Sequence, residues 1–282
     1  MKYSVSVYSF GHLLNTLGIN GLIDKAVEMG FDGIEFVDYA IAECSDEELC
    51  SIRAYAQKKG LAITALCIGA DLWCTNDKQR KEVTARLHSF VDKAKLLGAP
   101  ILRHDIASQP RSRTYSIGYD DCVDAVYEII RENAQYAEKN GVVTVTENHG
   151  TFSQDSERIE KLVNKVAHPN FGVLIDVGNF MMADENPCIA VARLAPYARY
   201  VHAKDFFLKS GSEYAPVDGW MGTRAGNFIR PTIIGHGDAR VLQSLKVLRE
   251  SGYDGFVSIE FEGSEDVLSA ISEGLAYMKK YL

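Results

Sequence analysis

Four polar residues stand where the strand-like runs in the second half of the chain stop: Glu147 after GVVTVT, Asp176 after GVLI, His202 after YV and Glu260 after FVSI. Three carboxylates and an imidazole form a mixed oxygen and nitrogen donor set. That set suits a borderline-hard divalent cation, Mn²⁺ first, with Co²⁺, Mg²⁺ or Zn²⁺ as alternatives. Such an ion, bound to a carbonyl and a neighbouring hydroxyl, lowers the cost of forming an enediolate. Glu147 and Glu260, facing each other across the substrate, could then take a proton from carbon and return it. Each of the four taken alone has a plainer role, as a helix cap, a partner for a rim cation or, for His202, a satisfied core residue. Their shared placement at strand ends carries the functional reading.

Convergence of residues so far apart in sequence requires parallel strands opening at one end. The stretch 141–150, GVVTVTENHG, sets the pattern: a glycine that closes a helix, the β-branched run Val142 to Thr146, then three polar residues and a glycine. Strands are expected at 3–9, 33–37, 61–68, 100–104, 142–146, 171–176, 199–204 and 256–261. Helical stripes alternate with them. Leu22, Ile23, Ala26, Val27 and Met29 close at Gly30, and Ser45 with Glu48 has the spacing of a capping box for a helix ending at Gly60. Further helices are expected from about Lys78 to Gly98, at 119–139 after a polar loop, at 156–166, at 187–194, around Val241 to Leu248, and around Val267 to Met278. Eight strands alternating with eight helices predict an α/β fold, a single (β/α)8 TIM barrel filling residues 1–282 as one domain; an eight-stranded open sheet would leave two edges to cover. The connection from strand seven to helix seven, about 205–235, has no sustained period and contains Gly211, Gly219, Trp220, Gly222, Gly226 and Phe228. A loop that long on the catalytic face is expected to be a lid or rim.

Composition narrows the partners. The 282 residues are 46% hydrophobic and 24% charged, as in a globular protein with a sizeable core. A formal net charge of -8 without a dense Lys/Arg run argues against nucleic acid. No run approaches the roughly 20 apolar residues of a membrane span, and MKYSVSVYSF enters a strand without a signal-like apolar block. Cys44, Cys50, Cys67, Cys74, Cys122 and Cys188 form no C-x-x-C and suit a reducing compartment, so a cytoplasmic setting is expected. The expected partner is a small carbohydrate or polyol-derived substrate; a homo-oligomer is left open, as is phosphorylation of the substrate.

The motifs TENHG, LIDVGNF, YVHAKD and GHGDARVLQSLKVLRESGYDGFVSIEFEG resemble the xylose-isomerase-like barrel superfamily. That superfamily holds sugar isomerases and epimerases, inosose isomerases and dehydratases, and DNA repair enzymes of the endonuclease IV type. The resemblance covers most of the chain and is strongest over 142–263. It implies that Glu147, Asp176, His202 and Glu260 form a single-metal site. Asn179 stands where the endonuclease branch has a histidine ligand, and Ile229 and Pro231 stand where its Asp-x-His pair falls, so a nuclease is not expected. Asn179 and Leu208 also replace the histidine and arginine with which ketose epimerases hold substrate. Substrate contacts are therefore assigned to His149, Asn179, Lys204 and Arg230, with His104 and Trp73 added at the ends of strands four and three. Lys204 follows His202 by two residues and shares its side of the strand. His236 and His12 are weaker candidates, and Cys67 reads as core. Two alternatives stand beside the isomerase reading. One is a lyase on the same metal site, a dehydratase or a cleaver of a carbon bond to an aglycone, with His149 or His104 as acid. The other is a carbohydrate-binding subunit without turnover.

Overall fold

The computed structural model describes residues 1–107, 118–150, 152–216 and 218–282. Its elements run β1 (Lys2–Ser6), α1 (Leu13–Glu28), β2 (Gly33–Val37), α2 (Asp46–Lys58), β3 (Ala62–Ile68), α3 (Asp77–Leu97), β4 (Ile101–His104), α4 (Tyr119–Lys139), β5 (Val143–Glu147), α5 (Ser156–Val166), β6 (Phe171–Asp176), α6 (Pro187–Leu194), β7 (Ala198–Ala203), β8 (Asp205–Lys209), β9 (Met221–Gly222), β10 (Phe228–Thr232), α7 (Val241–Glu250), β11 (Phe256–Ile259) and α8 (Val267–Tyr281). Eight parallel strands close into a barrel in the order β1, β11, β7, β6, β5, β4, β3, β2, which is the expected (β/α)8 topology. Burial explains the strand composition. With helices outside and side chains inside, every residue of β2 and β6 is buried, so these strands are near-continuous apolar runs.

Local chemistry sets the boundaries. The Ser45 hydroxyl accepts from the Glu48 N–H while the Glu48 carboxylate accepts from the Ser45 N–H, closing the capping box that starts α2. Gly98 ends α3 at φ 79°, a left-handed conformation that costs glycine little. The first strand stops earlier than expected: the Ser6 hydroxyl accepts from Tyr8 N–H and turns Val7–Phe10 into a 3₁₀ helix. The polar loop expected before α4 lies largely outside the described residues. Among the described residues, no helix is long and apolar enough to cross a membrane.

The long connection after β7 is a correction to the loop expected at 205–235. It holds an antiparallel sheet in the order β8, β10, β9, with Phe228 opposite Lys209 and Thr232 opposite Asp205. The strands are at most five residues long and the middle one contains Pro231, so no sequence period could build up. The base of this flap is pinned by Asp205, whose carboxylate accepts from the N–H groups of Phe206, Gly235, Gly237 and Ala239 at 2.8–3.1 Å.

Candidate metal centre

The four strand-end residues lie on four neighbouring strands, β5, β6, β7 and β11, so the barrel itself brings them to one arc of its mouth. Register does the rest. Asp176 pairs with His202 across β6 and β7, His202 pairs with Ser258 of β11, and Glu260 extends that ladder by donating its N–H to the Ala203 carbonyl at 3.1 Å. One ligand-type atom from each of Glu147, Asp176, His202 and Glu260 falls in a group whose members all lie within 4.8 Å of one another. From His202 Nδ1, Glu147 Oε1 is 3.7 Å away, Asp176 Oδ2 3.9 Å and Glu260 Oε2 3.5 Å. His202 Nδ1 and Asp176 Oδ2 are buried without a hydrogen-bond partner. Unpartnered buried polar atoms are costly, and here both face the same gap. The donor set therefore fits a divalent cation.

Fixed cations and amides surround the cluster. Arg103 Nη2 lies 2.5 Å from Glu147 Oε2 and 2.7 Å from Asp105 Oδ1, while its Nη1 donates to the Ile68 carbonyl. Lys204 Nζ sits 2.6 Å from Glu260 Oε2, 3.1 Å from Glu262 Oε1 and 3.3 Å from Asp176 Oδ2. Asn179 bridges two members, its side-chain amide donating to Glu147 Oε1 at 2.9 Å and its backbone N–H to Asp176 Oδ1 at 3.0 Å. Asn148 completes the frame: its side chain exchanges two hydrogen bonds of 2.8 Å with the backbone of Asp176, as a neighbouring strand would.

These contacts divide the carboxylates. Burial alone would raise the Glu147 carboxyl, but Arg103, helped by His202, holds it well below the usual range. Glu260 is likewise buried yet held low by Lys204 and His202. Asp176 goes the other way: burial, with repulsion from Glu147 and Glu260, outweighs Lys204 and lifts it to about 7. A cation among the three would remove that repulsion. Burial pulls His202 down, but Glu35 and Glu260 together take it well above its ordinary value.

The other expected site residues divide into two groups. Lys204, Asn179 and His149 are at the centre or its edge; the half-exposed His149 ring holds Asp105 Oδ1 at 2.8 Å through Nδ1 and is raised by that bond. His104, Arg230 and Trp73 are not brought to the cluster. His104 follows the inward-pointing Arg103, so its ring turns to the outer face of β4, stacks on Phe171 and holds the Asp105 carbonyl. Arg230 lies over the Phe207 and Trp220 rings of the flap. Trp73 is partly buried against the core, its backbone N–H donating to the Asp71 carboxylate. Sequence reasoning missed Arg103, Asp105, Glu35, Asn148 and Glu262. A signal existed for two of them: Arg103 and Glu35 are charges inside the strand runs ILRH and GIEFV, and a charge in a strand buried on both faces needs a partner.

Fold and centre together define a parallel α/β barrel with an acidic, histidine-containing cluster that could hold a divalent cation at the C-terminal ends of its strands. The chain belongs to the xylose isomerase-like TIM barrel family, whose model matches residues 23–281. An inosose dehydratase of Clostridium botulinum (strain Alaska E43 / Type E3) is 28% identical over 152 residues, 52% of this chain and 50% of that protein. The match thus spans about half the length of that curated relative. Among solved structures, the D-psicose 3-epimerase of Clostridium cellulolyticum H10, determined with D-tagatose, superposes with a TM-score of 0.75 at 18% identity, covering 100% of this chain and 99% of that one. A xylose isomerase-like TIM barrel protein from Mycobacterium smegmatis in complex with magnesium gives a TM-score of 0.73 at 19% identity, covering 99% and 96%.

Proposed function

We propose that the chain is a divalent-metal-dependent isomerase or epimerase of a sugar or polyol-derived ketone. In this reading Glu147, Asp176, His202 and Glu260 hold the ion, Mn²⁺ first, and Glu147 and Glu260 move the proton. The observation that carries it is His202 Nδ1, buried without a hydrogen-bond partner and facing carboxylate oxygens of Glu260, Glu147 and Asp176 at 3.5, 3.7 and 3.9 Å. When bound, the ion would polarise a substrate carbonyl and the adjacent hydroxyl, stabilising the negative charge that follows loss of a carbon-bound proton.

The chain's own groups do the remaining work. Arg103 and Asn179 clamp the two oxygens of Glu147, fixing the direction from which that carboxylate meets substrate. Glu260, whose side chain is 14% exposed, has the more open approach to the mouth. Lys204, its ammonium held among Glu260, Glu262 and Asp176, balances charge as Glu260 gains and loses its proton in this reading. His149 stands at the edge, where the other end of a polyol would lie. Six free thiols fit a cytoplasmic setting.

The test is exchange of a carbon-bound proton. Metal-loaded protein is incubated in deuterated water with a panel of ketoses and inososes and followed by NMR. Substrate-dependent loss of one C–H signal is expected, and Glu260→Gln should abolish it. No exchange with any member of the panel counts against the reading.

A lyase on the same centre is the second reading. It is favoured by the His149–Asp105 pair, an imidazole held by a carboxylate where a leaving hydroxyl would need an acid, and by the likeness to an inosose dehydratase. A product lighter by one water, with a new double bond, selects it.

A further inference from the structure

We infer that Glu35 is a positioning residue that makes His202 an Nδ1 donor, an inference that rests on the reading of His202 as a metal ligand. Glu35 lies in β2, across the barrel from β7, and is fully buried. Its Oε2 is 2.8 Å from His202 Nε2, and its Oε1 has no hydrogen-bond partner. Among the described residues, its one ion-pair contact is with that imidazole. Burying a carboxylate with half its acceptor capacity unused is expensive, and it is tolerated where the charge holds something in place.

What it holds is the ring. The two imidazole nitrogens point away from each other, so engaging Nε2 on Glu35 directs Nδ1 toward Glu147, Asp176 and Glu260. The ring also packs against Tyr200, the two meeting edge-on with centroids 5.9 Å apart. Tyr200 is itself tethered through its hydroxyl to Ser4 at 3.0 Å and Thr64 at 2.6 Å. A carboxylate accepting the second N–H of a ligand histidine also raises the donor strength of the first nitrogen. Glu35 thus acts on the centre without touching substrate.

The experiment compares wild type, Glu35→Gln and Glu35→Ala. Mn²⁺ affinity is read by competition with a chelator, ring protonation by ¹⁵N-histidine NMR with diamagnetic Zn²⁺ in place of Mn²⁺, and metal-free stability by thermal melting. The expected results are Nε2 protonated and Nδ1 ligated in the wild type, affinity weakened roughly 10–100-fold in Glu35→Ala, and a smaller loss in Glu35→Gln, whose amide oxygen can still accept. The metal-free melting temperature should fall in both variants, because His202 loses a buried ion-pair partner at 2.8 Å, so metal affinity and not stability separates the two roles. Unchanged affinity in a folded Glu35→Gln would mark Glu35 as structural and overturn the inference, as would Nε2 ligation in the wild type. A wild-type protein that takes up no divalent ion overturns the metal reading beneath it as well.

Discussion

Replacing Asp176 by asparagine should make the metal-free protein more stable and the metal-loaded protein weaker. The Asp176 carboxyl is lifted from 3.8 to about 7, chiefly by burial and then by Glu147 and Glu260, against the pull of Lys204. At about 1.36 kcal/mol per tenfold, holding that group ionised above pH 7 costs at most roughly 4 kcal/mol. Asparagine removes the charge and keeps an oxygen for the Asn179 N–H. Lys204 loses one carboxylate but retains Glu260 and Glu262, so part of the gain is returned. A net stabilisation of about 2 kcal/mol is expected, within the range seen when buried charges are replaced. For a chain of this size that is roughly 4–8 °C in melting temperature. The sign with pH is fixed. An acid with a raised folded pKa binds more protons in the folded than in the unfolded state, so its folded form loses stability as pH rises from about 4 to about 7. The difference between Asp176→Asn and wild type should therefore be near zero at pH 4 and fully developed at pH 8. Urea unfolding in the presence of a chelator across that range measures it. Saturating Mn²⁺ should reverse the order, since an ion at 100 times its Kd stabilises the wild type by about 2.7 kcal/mol. A variant less stable than metal-free wild type at pH 8, or a difference that does not shrink on acidification, refutes the reasoning.

Two further outcomes follow from the same contacts. Arg103→Met strands Glu147 and Asp105 without their shared cation and should cost about 3–5 kcal/mol in urea unfolding, partly recovered in the double variant with Glu147→Gln. Because Arg103 holds Glu147 below the usual carboxylate range, the stability it provides is present above about pH 4.3 and is lost as pH falls through the lower folded value; the acid limb of the wild-type curve should flatten in the variant. At the base of the flap, a Cβ on Gly237 would press on the Asp205 carboxylate and the Phe206 carbonyl. Gly237→Ala should destabilise by about 1–3 kcal/mol and bring forward limited proteolysis within 205–235, with Mn²⁺ affinity unchanged.

The sequence alone determined the order of elements and the identity of the strand-end ligand candidates. Boundaries such as Tyr119–Lys139, Ser156–Val166 and Phe171–Asp176 were readable because caps, glycines and periodicity act over a few residues. Glu147, Asp176, His202 and Glu260 stood out because a parallel barrel gives every strand end the same address. Only the tertiary structure decided what surrounds them. The partners Glu35 and His202 are separated by 167 positions, and Lys204 and Glu262 by 58, and no local pattern records such a pairing. It also turned His104 outward, because the inward place on β4 belongs to Arg103, and it folded the 205–235 stretch into a sheet whose strands are too short to show a period. Secondary structure is written in near-neighbour contacts; the charge balance of a buried centre is set by residues that meet only when the barrel closes.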